Sequence, residues 1–195
     1  MSKRAKLFTS VIAFTTLFHG LVWAGTPLRV TEVYEAYLKL PARGKNDPCL
    51  IEVVPFYKWS EKPHEMDRWT LAYYRKSTDQ MTLRGDLDPK TFRVVVAHEF
   101  GHHVYFVTFT TKEMTEWQTF WDKNLIAMPR DYARYSASEG WAECYSVRFI
   151  GSDSYLYSPE LKFSPAIIAE IDRLTAQPAK KTEAQTLEDW ICKTK

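Results

Sequence analysis

Cysteine is scarce in this sequence, and its scarcity argues against two classes of small protein. Only three cysteines occur among the 195 residues, namely Cys49, Cys144 and Cys192. An odd number cannot form a complete disulfide framework, and these spacings do not match a zinc ribbon. In an oxidising compartment we expect one bridge, from Cys49 to Cys192, because it would tie the two ends of the domain together. Three buried or free thiols are the alternative.

Internal repeats, low-complexity tracts and long linkers are absent as well. The 195 residues have room for one ordinary domain with one substantial core. The hydrophobic share of 45% and the charged share of 26% are those of a globular protein. Aromatic residues make up 15% of the chain, so large side chains are available to fill that core.

Acidic residues are missing from the first 24 positions. A basic head at residues 3–6 precedes an apolar run that ends at Ala24, where small residues surround a cleavage position. This layout is typical of a secretory signal peptide, so we expect a signal peptide over residues 1–24 and a mature domain over residues 25–195. The alternative is an uncleaved membrane anchor, because the run is close to spanning length. The polar residues within the run favour cleavage.

Neither sign of charge predominates once that segment is removed. Three of the 26 basic residues lie in it and none of the 24 acidic ones, which leaves 23 basic against 24 acidic side chains. A near-neutral domain gives no support for nucleic-acid binding, so we expect no nucleic-acid partner. After cleavage we expect an exported protein, periplasmic or secreted, without stable membrane insertion. The sequence leaves the oligomeric state open.

The pattern along the mature chain predicts an α+β domain, with a short, mostly antiparallel sheet followed by a helical half. Apolar residues at helical spacing predict a first helix over residues 29–40. Three short β-rich segments follow, at 50–57, 69–75 and 80–84, and the last two form a hairpin. The helical half begins at Asp88-Pro89, a typical N-cap and first helical position, and its predicted helices cover residues 89–107, 111–124, 138–150, 164–176 and 182–193.

The helix that begins at Pro89 carries the segment His98-Glu99-Phe100-Gly101-His102 in an otherwise apolar stretch. Histidines four residues apart lie on one helix face, one turn apart, and can bind one Zn²⁺ through neutral imidazoles. Glu99 then projects beside the metal, where it can take a proton from a zinc-activated water. Burying these side chains without partners or a metal would cost several kcal/mol. We therefore predict a zinc site, with His103 off the ligand face.

A catalytic zinc site needs a third protein ligand. A third histidine six residues after His102 is absent, because position 108 is Thr, which leaves a downstream carboxylate. Asp122 has roughly the spacing of thermolysin-like enzymes but lacks the surrounding carboxylates expected there. Glu139 and Glu143 are stronger candidates, because they lie one turn apart on one helix face. Glu139 would bind zinc, and Glu143 would accept the second ring N–H of a ligand histidine.

These two carboxylates also have a purely structural interpretation. Glu139 can form a capping box with Ser136, and Glu143 can be an exposed helix carboxylate. The need for a third ligand favours the zinc roles. Gly140 and Ala142 beside them would let this helix approach the histidine-bearing helix closely.

These motifs, together with Tyr132, resemble the catalytic domain of anthrax lethal factor and the small secreted Pro-Pro endopeptidases of the same clan. In that family a Tyr lies seven residues before the ligand Glu, as Tyr132 lies before Glu139 here, and a second Glu follows after four residues. The resemblance is specific over residues 88–149. It implies a zincin-like fold in which His98, His102 and Glu139 bind zinc, Glu99 is the general base, Glu143 contacts a ligand histidine and Tyr132 donates to the oxyanion.

The resemblance also implies a strand such as Gln80–Arg84 lining the cleft, and Tyr135 would replace Tyr132 if the loop register differs. We therefore expect a zinc metallopeptidase, an endopeptidase whose protein or peptide substrate pairs with the exposed edge strand before the helix. The alternative is a zinc-stabilised envelope binding protein that has lost catalysis. A third possibility is a toxin or effector whose substrate belongs to another cell.

Overall fold

The computed structural model describes residues 30–44, 49–54, 59, 70–128, 132–151 and 164–176. The expected signal peptide and the expected helix at 182–193 lie outside the described residues. The expected Cys49–Cys192 pairing lies outside them too, because Cys192 is not described. Cys49 and Cys144 are both buried. Within the described ranges, no helix has the length and apolarity needed to cross a membrane.

The described chain folds as the small α+β domain that the sequence predicts, with the sheet ahead of the helical half. A π-helical turn, Val104–Thr108, continues the helix that carries the histidines, and two 3-10 turns, Leu125–Ala127 and Tyr132–Arg134, connect the next two helices. The regular elements are α1 (Val30–Lys39), β1 (Leu50–Val54), β2 (Ala72–Arg75), β3 (Gln80–Arg84), α2 (Pro89–His103), α3 (Thr111–Asn124), α4 (Ala137–Ile150) and α5 (Pro165–Thr175).

The strand order in the sheet is β1–β3–β2. Strands β2 and β3 form the predicted antiparallel hairpin, whereas β1 runs parallel to β3. Strand β3 is therefore hydrogen-bonded on both sides, so Gln80–Arg84 cannot be the exposed edge strand that we expected before the helix. The parallel pairing of β1 with β3 makes the third strand of the chain the central one. In the described part of the chain, the edges are β1 and β2, and β2 contacts α2.

Helix α2 is the central element, and it packs against α1, β2, β3 and α4. It begins as predicted, since the Asp88 side chain accepts hydrogen bonds from the backbone N–H groups of Lys90 and Thr91, with Pro89 at the first helical position. Its residues are buried almost all round, so Glu99, His102 and His103 lie in the interior of the domain, and His98 is partly buried.

A glycine sets the close approach of α2 and α4. A Cβ atom on Gly101 would lie 2.8 Å from the Cα atom of Ala142, so only glycine fits there without displacing the backbone of α4. The Ser146 hydroxyl then donates to the Val94 carbonyl across the same interface (2.9 Å). The predicted role of Ala142 in close packing is thus confirmed. That of Gly140 is wrong, because its missing side chain makes room for the Trp121 ring of α3.

A buried ion pair between Arg43 and Glu113 joins several other elements of the domain. Thr108 and Leu174 accept further hydrogen bonds from Arg43, and we call these four residues the Arg43 cluster. The Arg43 guanidinium donates to both carboxylate oxygens of Glu113 (2.6 and 2.8 Å). It also donates to the hydroxyl and the carbonyl of Thr108 and to the Leu174 carbonyl. These bonds join the segment after α1 to the π-helical turn, the start of α3 and the end of α5.

Candidate metal centre

Two helices bring the predicted ligands together. His98 and His102 project from α2, and Glu139 projects from the first turn of α4. The Ser136 hydroxyl accepts a hydrogen bond from the Glu139 backbone N–H (3.1 Å), which caps α4. The Glu139 carboxylate itself turns towards the histidines. The Trp117 and Trp121 indoles of α3 hold this end of α4 by donating to the carbonyls of Ala137 and Ala133 (2.6 and 2.8 Å).

The three side chains form a group that can hold a metal ion, which we call the three-ligand cluster. Both the His98 Nε2 and the His102 Nε2 atoms lie 3.3 Å from Glu139 Oε2. That distance exceeds the roughly 2.7–2.9 Å of a charge-assisted hydrogen bond. It matches the roughly 3.3 Å between neighbouring ligand atoms of a tetrahedral ion with bonds of about 2.0–2.1 Å. Since the two nitrogen atoms also lie within 4.8 Å of each other, the three atoms can hold one small cation.

Unsatisfied polar atoms in the cluster support the same conclusion. Glu139 Oε2 and His102 Nδ1 are buried and have no hydrogen-bond partner within the described residues. A buried polar atom without a partner costs about 1–3 kcal/mol, more if it is charged. A cation bound by the three side chains would remove that penalty for the carboxylate oxygen. The donor set, two imidazole nitrogens and one carboxylate oxygen, suits Zn²⁺ better than Mg²⁺ or Ca²⁺, which prefer oxygen.

Glu143 lies where an outer contact of a ligand histidine is expected. Its Oε2 atom is 3.2 Å from His98 Nδ1, the ring nitrogen that faces away from Glu139. Such a contact keeps the proton on Nδ1 and leaves Nε2 as the lone-pair donor. Glu143 is buried, so its interpretation as an exposed helix carboxylate is wrong.

The electrostatics of the cluster favour a positive charge at its centre. Burial disfavours a charged imidazole, yet the contacts with Glu139 and Glu143 raise the pKa of His98. Burial likewise opposes ionisation of Glu139, yet its contacts with His102 and His98 lower the pKa of that carboxyl group. Without a metal, a proton supplies the positive charge that the carboxylates stabilise, and a divalent cation would supply it more fully.

Glu99 lies beside the ligand histidines and is only 6% exposed. Burial raises the pKa of its carboxyl group, the nearby imidazoles of His98 and His102 lower it, and Glu139 raises it further, so that the pKa ends above its ordinary value. A carboxylate of raised pKa is a stronger base than an exposed one. Glu99 is therefore a buried carboxyl group of raised pKa close to the two imidazoles.

Tyr132 is the tyrosine that the structure brings to the cluster. Its ring centroid lies 5.8 Å from that of His98, and its hydroxyl interacts with Glu139. Burial, followed by the charge of Glu139, raises the pKa of this hydroxyl, so it is a proton donor at neutral pH. Tyr135 is 83% exposed, one turn further along. Asp122 is exposed on α3, where it accepts from Gln118, and is not a member of the cluster.

A second group, which we call the Cys49–Asp79–His103 group, was not predicted from the sequence as a unit. His103 is fully buried, and its Nδ1 atom lies 2.7 Å from Asp79 Oδ1. The Tyr74 hydroxyl donates to the same oxygen (2.6 Å), and the Cys49 Sγ atom lies within 4.8 Å of the ligand atoms of Asp79 and His103. Its histidine directly follows His102 in the chain, and no sequence pattern indicated that Cys49 and Asp79 lie close to it.

Comparison with known proteins adds no relative. No family model matches the chain, and neither a curated protein nor a solved structure matches it significantly. We therefore infer a function from the geometry of the site and from the residues that form it.

Proposed function

We propose that this chain is a zinc-dependent endopeptidase. The observation that carries the proposal is the convergence of two imidazole nitrogens on one carboxylate oxygen, each at 3.3 Å from it, with the buried carboxylate of Glu99 beside them. Three protein ligands that leave a fourth position open are typical of catalytic zinc, whereas structural zinc sites have four. The resemblance of the same residues to the lethal factor family supports this class of enzyme.

The ligands would be His98, His102 and Glu139, with Glu143 fixing the tautomer of His98 through its Nδ1 atom. A bound zinc ion would supply Lewis acidity, which polarises a carbonyl group and lowers the pKa of water towards neutrality. The other steps of peptide hydrolysis would depend on side chains of the protein itself.

Glu99 would move the proton. Its carboxylate accepts a proton from the attacking water and afterwards donates it to the amine nitrogen that leaves when the peptide C–N bond breaks. Its burial keeps bulk water from competing for that proton. The neutral hydroxyl of Tyr132 would donate a hydrogen bond to the carbonyl oxygen as negative charge develops on it.

Strand β2 would hold an extended substrate next to the metal. In the described part of the sheet it is hydrogen-bonded to β3 alone, and it contacts α2. A peptide paired with this edge would run along the helix that carries the zinc ligands, which favours cleavage within a chain rather than at its end. The expected signal peptide implies that this activity operates outside the cytoplasm, either in the periplasm or after secretion.

The test is hydrolysis of a diverse peptide library by the wild-type chain and by two matched variants. Glu99→Gln keeps the shape of the side chain but cannot accept the proton, so we expect one bound zinc and a rate lowered about 10²- to 10⁴-fold. Glu116→Gln, the same substitution on α3, should leave both unchanged.

An unchanged hydrolysis rate in Glu99→Gln would rule out the mechanism. A wild-type chain that binds one zinc but cleaves no peptide would favour the alternative function, a zinc-stabilised binding protein of the envelope.

A further inference from the structure

The two ligand histidines are oriented by different means. The Nδ1 atom of His98 is held by the Glu143 carboxylate at 3.2 Å. The Nδ1 atom of His102 is buried and has no hydrogen-bond partner within the described residues. A metal-binding histidine ordinarily donates its second ring N–H to a carboxylate, a carbonyl or water. Within the described residues, no protein hydrogen bond fixes the ring of His102, so other contacts must do so.

Aromatic rings supply those contacts. The His102 ring is stacked with Tyr74 of β2 (centroids 6.2 Å apart, planes 18° apart) and with Phe106 of the π-helical turn (6.2 Å and 16°). Tyr74 and Phe106 are also stacked with each other, at 6.1 Å and 3°. The three rings are thus nearly parallel, and we call them the His102 ring stack. A rotation of the His102 ring would break both contacts.

Asp79 fixes the Tyr74 side of this stack. It lies in the turn between β2 and β3, with a φ angle of +47° that residues other than glycine seldom adopt. Its Oδ1 atom accepts a hydrogen bond from the Tyr74 hydroxyl (2.6 Å) and lies 2.7 Å from Nδ1 of His103, the residue after His102. A single carboxylate oxygen therefore ties the edge strand of the sheet to the last turn of α2.

We propose that Asp79 is a positioning residue for the metal centre: it holds the Tyr74 ring against His102 and so sets the direction of the His102 Nε2 lone pair. Asp79 acts through Tyr74 and is not a member of the three-ligand cluster. The inference rests on the proposed zinc function, because it concerns how one of the zinc ligands is oriented.

A competing interpretation is a second metal site, because the Cys49–Asp79–His103 group offers one sulfur, one oxygen and one nitrogen atom within 4.8 Å of one another. The distances argue against it. The 2.7 Å between Asp79 Oδ1 and His103 Nδ1 is that of a hydrogen bond, well below the roughly 3.3 Å between ligand atoms of a tetrahedral ion. The Tyr74 hydroxyl donates to the same oxygen, so Asp79 Oδ1 already has two hydrogen-bonding partners.

The experiment measures zinc affinity by competition with a chromophoric chelator, and the visible spectrum of the cobalt-substituted chain. Asp79→Gly removes both carboxylate oxygens but keeps a residue that tolerates positive φ. Tyr74→Phe keeps the ring and removes only the hydroxyl that donates to Asp79. Tyr73→Phe, the same substitution one residue earlier on the opposite face of β2, is the matched control, and Glu143→Gln is the reference for a lost outer contact.

We expect zinc affinity to fall about tenfold in Asp79→Gly and severalfold in Tyr74→Phe, near the lower end of the 10- to 100-fold expected for Glu143→Gln. The cobalt spectrum should shift in the same variants, since it reports ligand geometry, and Tyr73→Phe should match the wild type. A role limited to anchoring the hairpin would lower the stability of the metal-free chain without moving either readout.

Unchanged zinc affinity and cobalt spectra in folded Asp79→Gly and Tyr74→Phe would overturn the proposal. The proposal would also be overturned if the wild-type chain bound two zinc ions and Asp79→Gly bound one. That result would establish a metal site in the Cys49–Asp79–His103 group. A wild-type chain that binds no zinc would contradict the proposed function itself. If the chain binds one zinc ion, and Glu143→Gln lowers the zinc affinity but Asp79→Gly does not, only the positioning role of Asp79 would be contradicted.

Discussion

The domain contains two buried clusters of charged side chains that differ in how well their atoms are satisfied. In the Arg43 cluster the guanidinium makes five hydrogen bonds of 2.6–3.0 Å, as many as it has N–H groups. In the three-ligand cluster the contacts to Glu139 are 3.3 Å long, and two buried polar atoms have no hydrogen-bond partner within the described residues.

Under the proposed function, this difference separates a structural use of buried charge from a functional one. The charges of Arg43 and Glu113 neutralise each other, and every N–H group of the guanidinium has an acceptor. No ligand is therefore needed to offset the cost of burying this pair. The side chains of the three-ligand cluster make longer contacts with one another, and a bound cation would satisfy the carboxylate oxygen that they leave without a hydrogen-bond partner. We therefore expect that removing a charged group from the Arg43 cluster lowers the free energy of unfolding equally with and without zinc. Removing one from the three-ligand cluster should instead reduce the stabilisation that zinc provides.

The largest expected effect is the stabilisation of the wild-type chain by zinc. At a free zinc concentration 1,000 times the dissociation constant, the free energy of unfolding should rise by about 4 kcal/mol. Glu139→Gln removes one of the three ligands, so this increase should largely vanish at the same zinc concentration. Urea unfolding with and without zinc measures both values. An equal zinc-dependent increase in Glu139→Gln would contradict the assignment of the third ligand.

The next effect concerns the Arg43 cluster. Glu113→Gln leaves the buried guanidinium without its counter-charge, so the free energy of unfolding should fall by about 3 kcal/mol whether zinc is present or not. The increase on adding zinc should match that of the wild type. If instead the variant loses the zinc-dependent increase, the two clusters are coupled and the comparison fails.

The same variant has a defined pH dependence. Hydrogen bonds from Arg43, opposed by burial, lower the pKa of Glu113 from 4.5 to about 2 in the folded chain. A lowered pKa stabilises the fold fully above the unfolded value of 4.5, and this contribution, roughly 3 kcal/mol, disappears as the pH falls through about 2. The stability difference between wild type and Glu113→Gln should therefore shrink between these pH values. A constant difference down to pH 2 would contradict it.

The smallest effect tests the contact between the helices that carry the ligands. In Gly101→Ala the new Cβ atom would lie 2.8 Å from the Ala142 Cα atom, so α4 must shift away from α2. We expect a loss of about 1–2 kcal/mol in the metal-free chain, since overpacking outweighs the better helix propensity of alanine. Because Glu139 moves with α4, calorimetry should also show weaker zinc binding. Unchanged zinc affinity would mean that the cluster does not depend on this contact.

Much of the site was predictable because its residues follow the helical repeat. His98 and His102 are four apart, as are Glu139 and Glu143, so each pair shares one helix face. The structure also brings the two pairs together, which we expected from the need for a third zinc ligand and from the family resemblance and not from the spacings. The N-cap at Asp88 and the strand at Gln80–Arg84 were equally visible, since both depend on local sequence.

The remaining features depend on contacts between distant segments, which local patterns do not encode. Strand order was one of these, because nothing in residues 50–54 indicates parallel pairing with β3. The tether from Asp79 to Tyr74 and His103 was another, since it requires that order and the hairpin register. Gly140 was assigned to the wrong neighbour for the same reason: the position of Trp121 follows from the packing of α3. The signal peptide and the Cys49–Cys192 pairing remain predictions.

The most direct test of the central claim is X-ray diffraction at the zinc absorption edge, using crystals of the chain grown with one equivalent of zinc. If the proposed zinc site is correct, we expect a single anomalous peak within bonding distance of His98 Nε2, His102 Nε2 and Glu139 Oε2. No peak at that position, or a dominant peak at the Cys49–Asp79–His103 group, would contradict it.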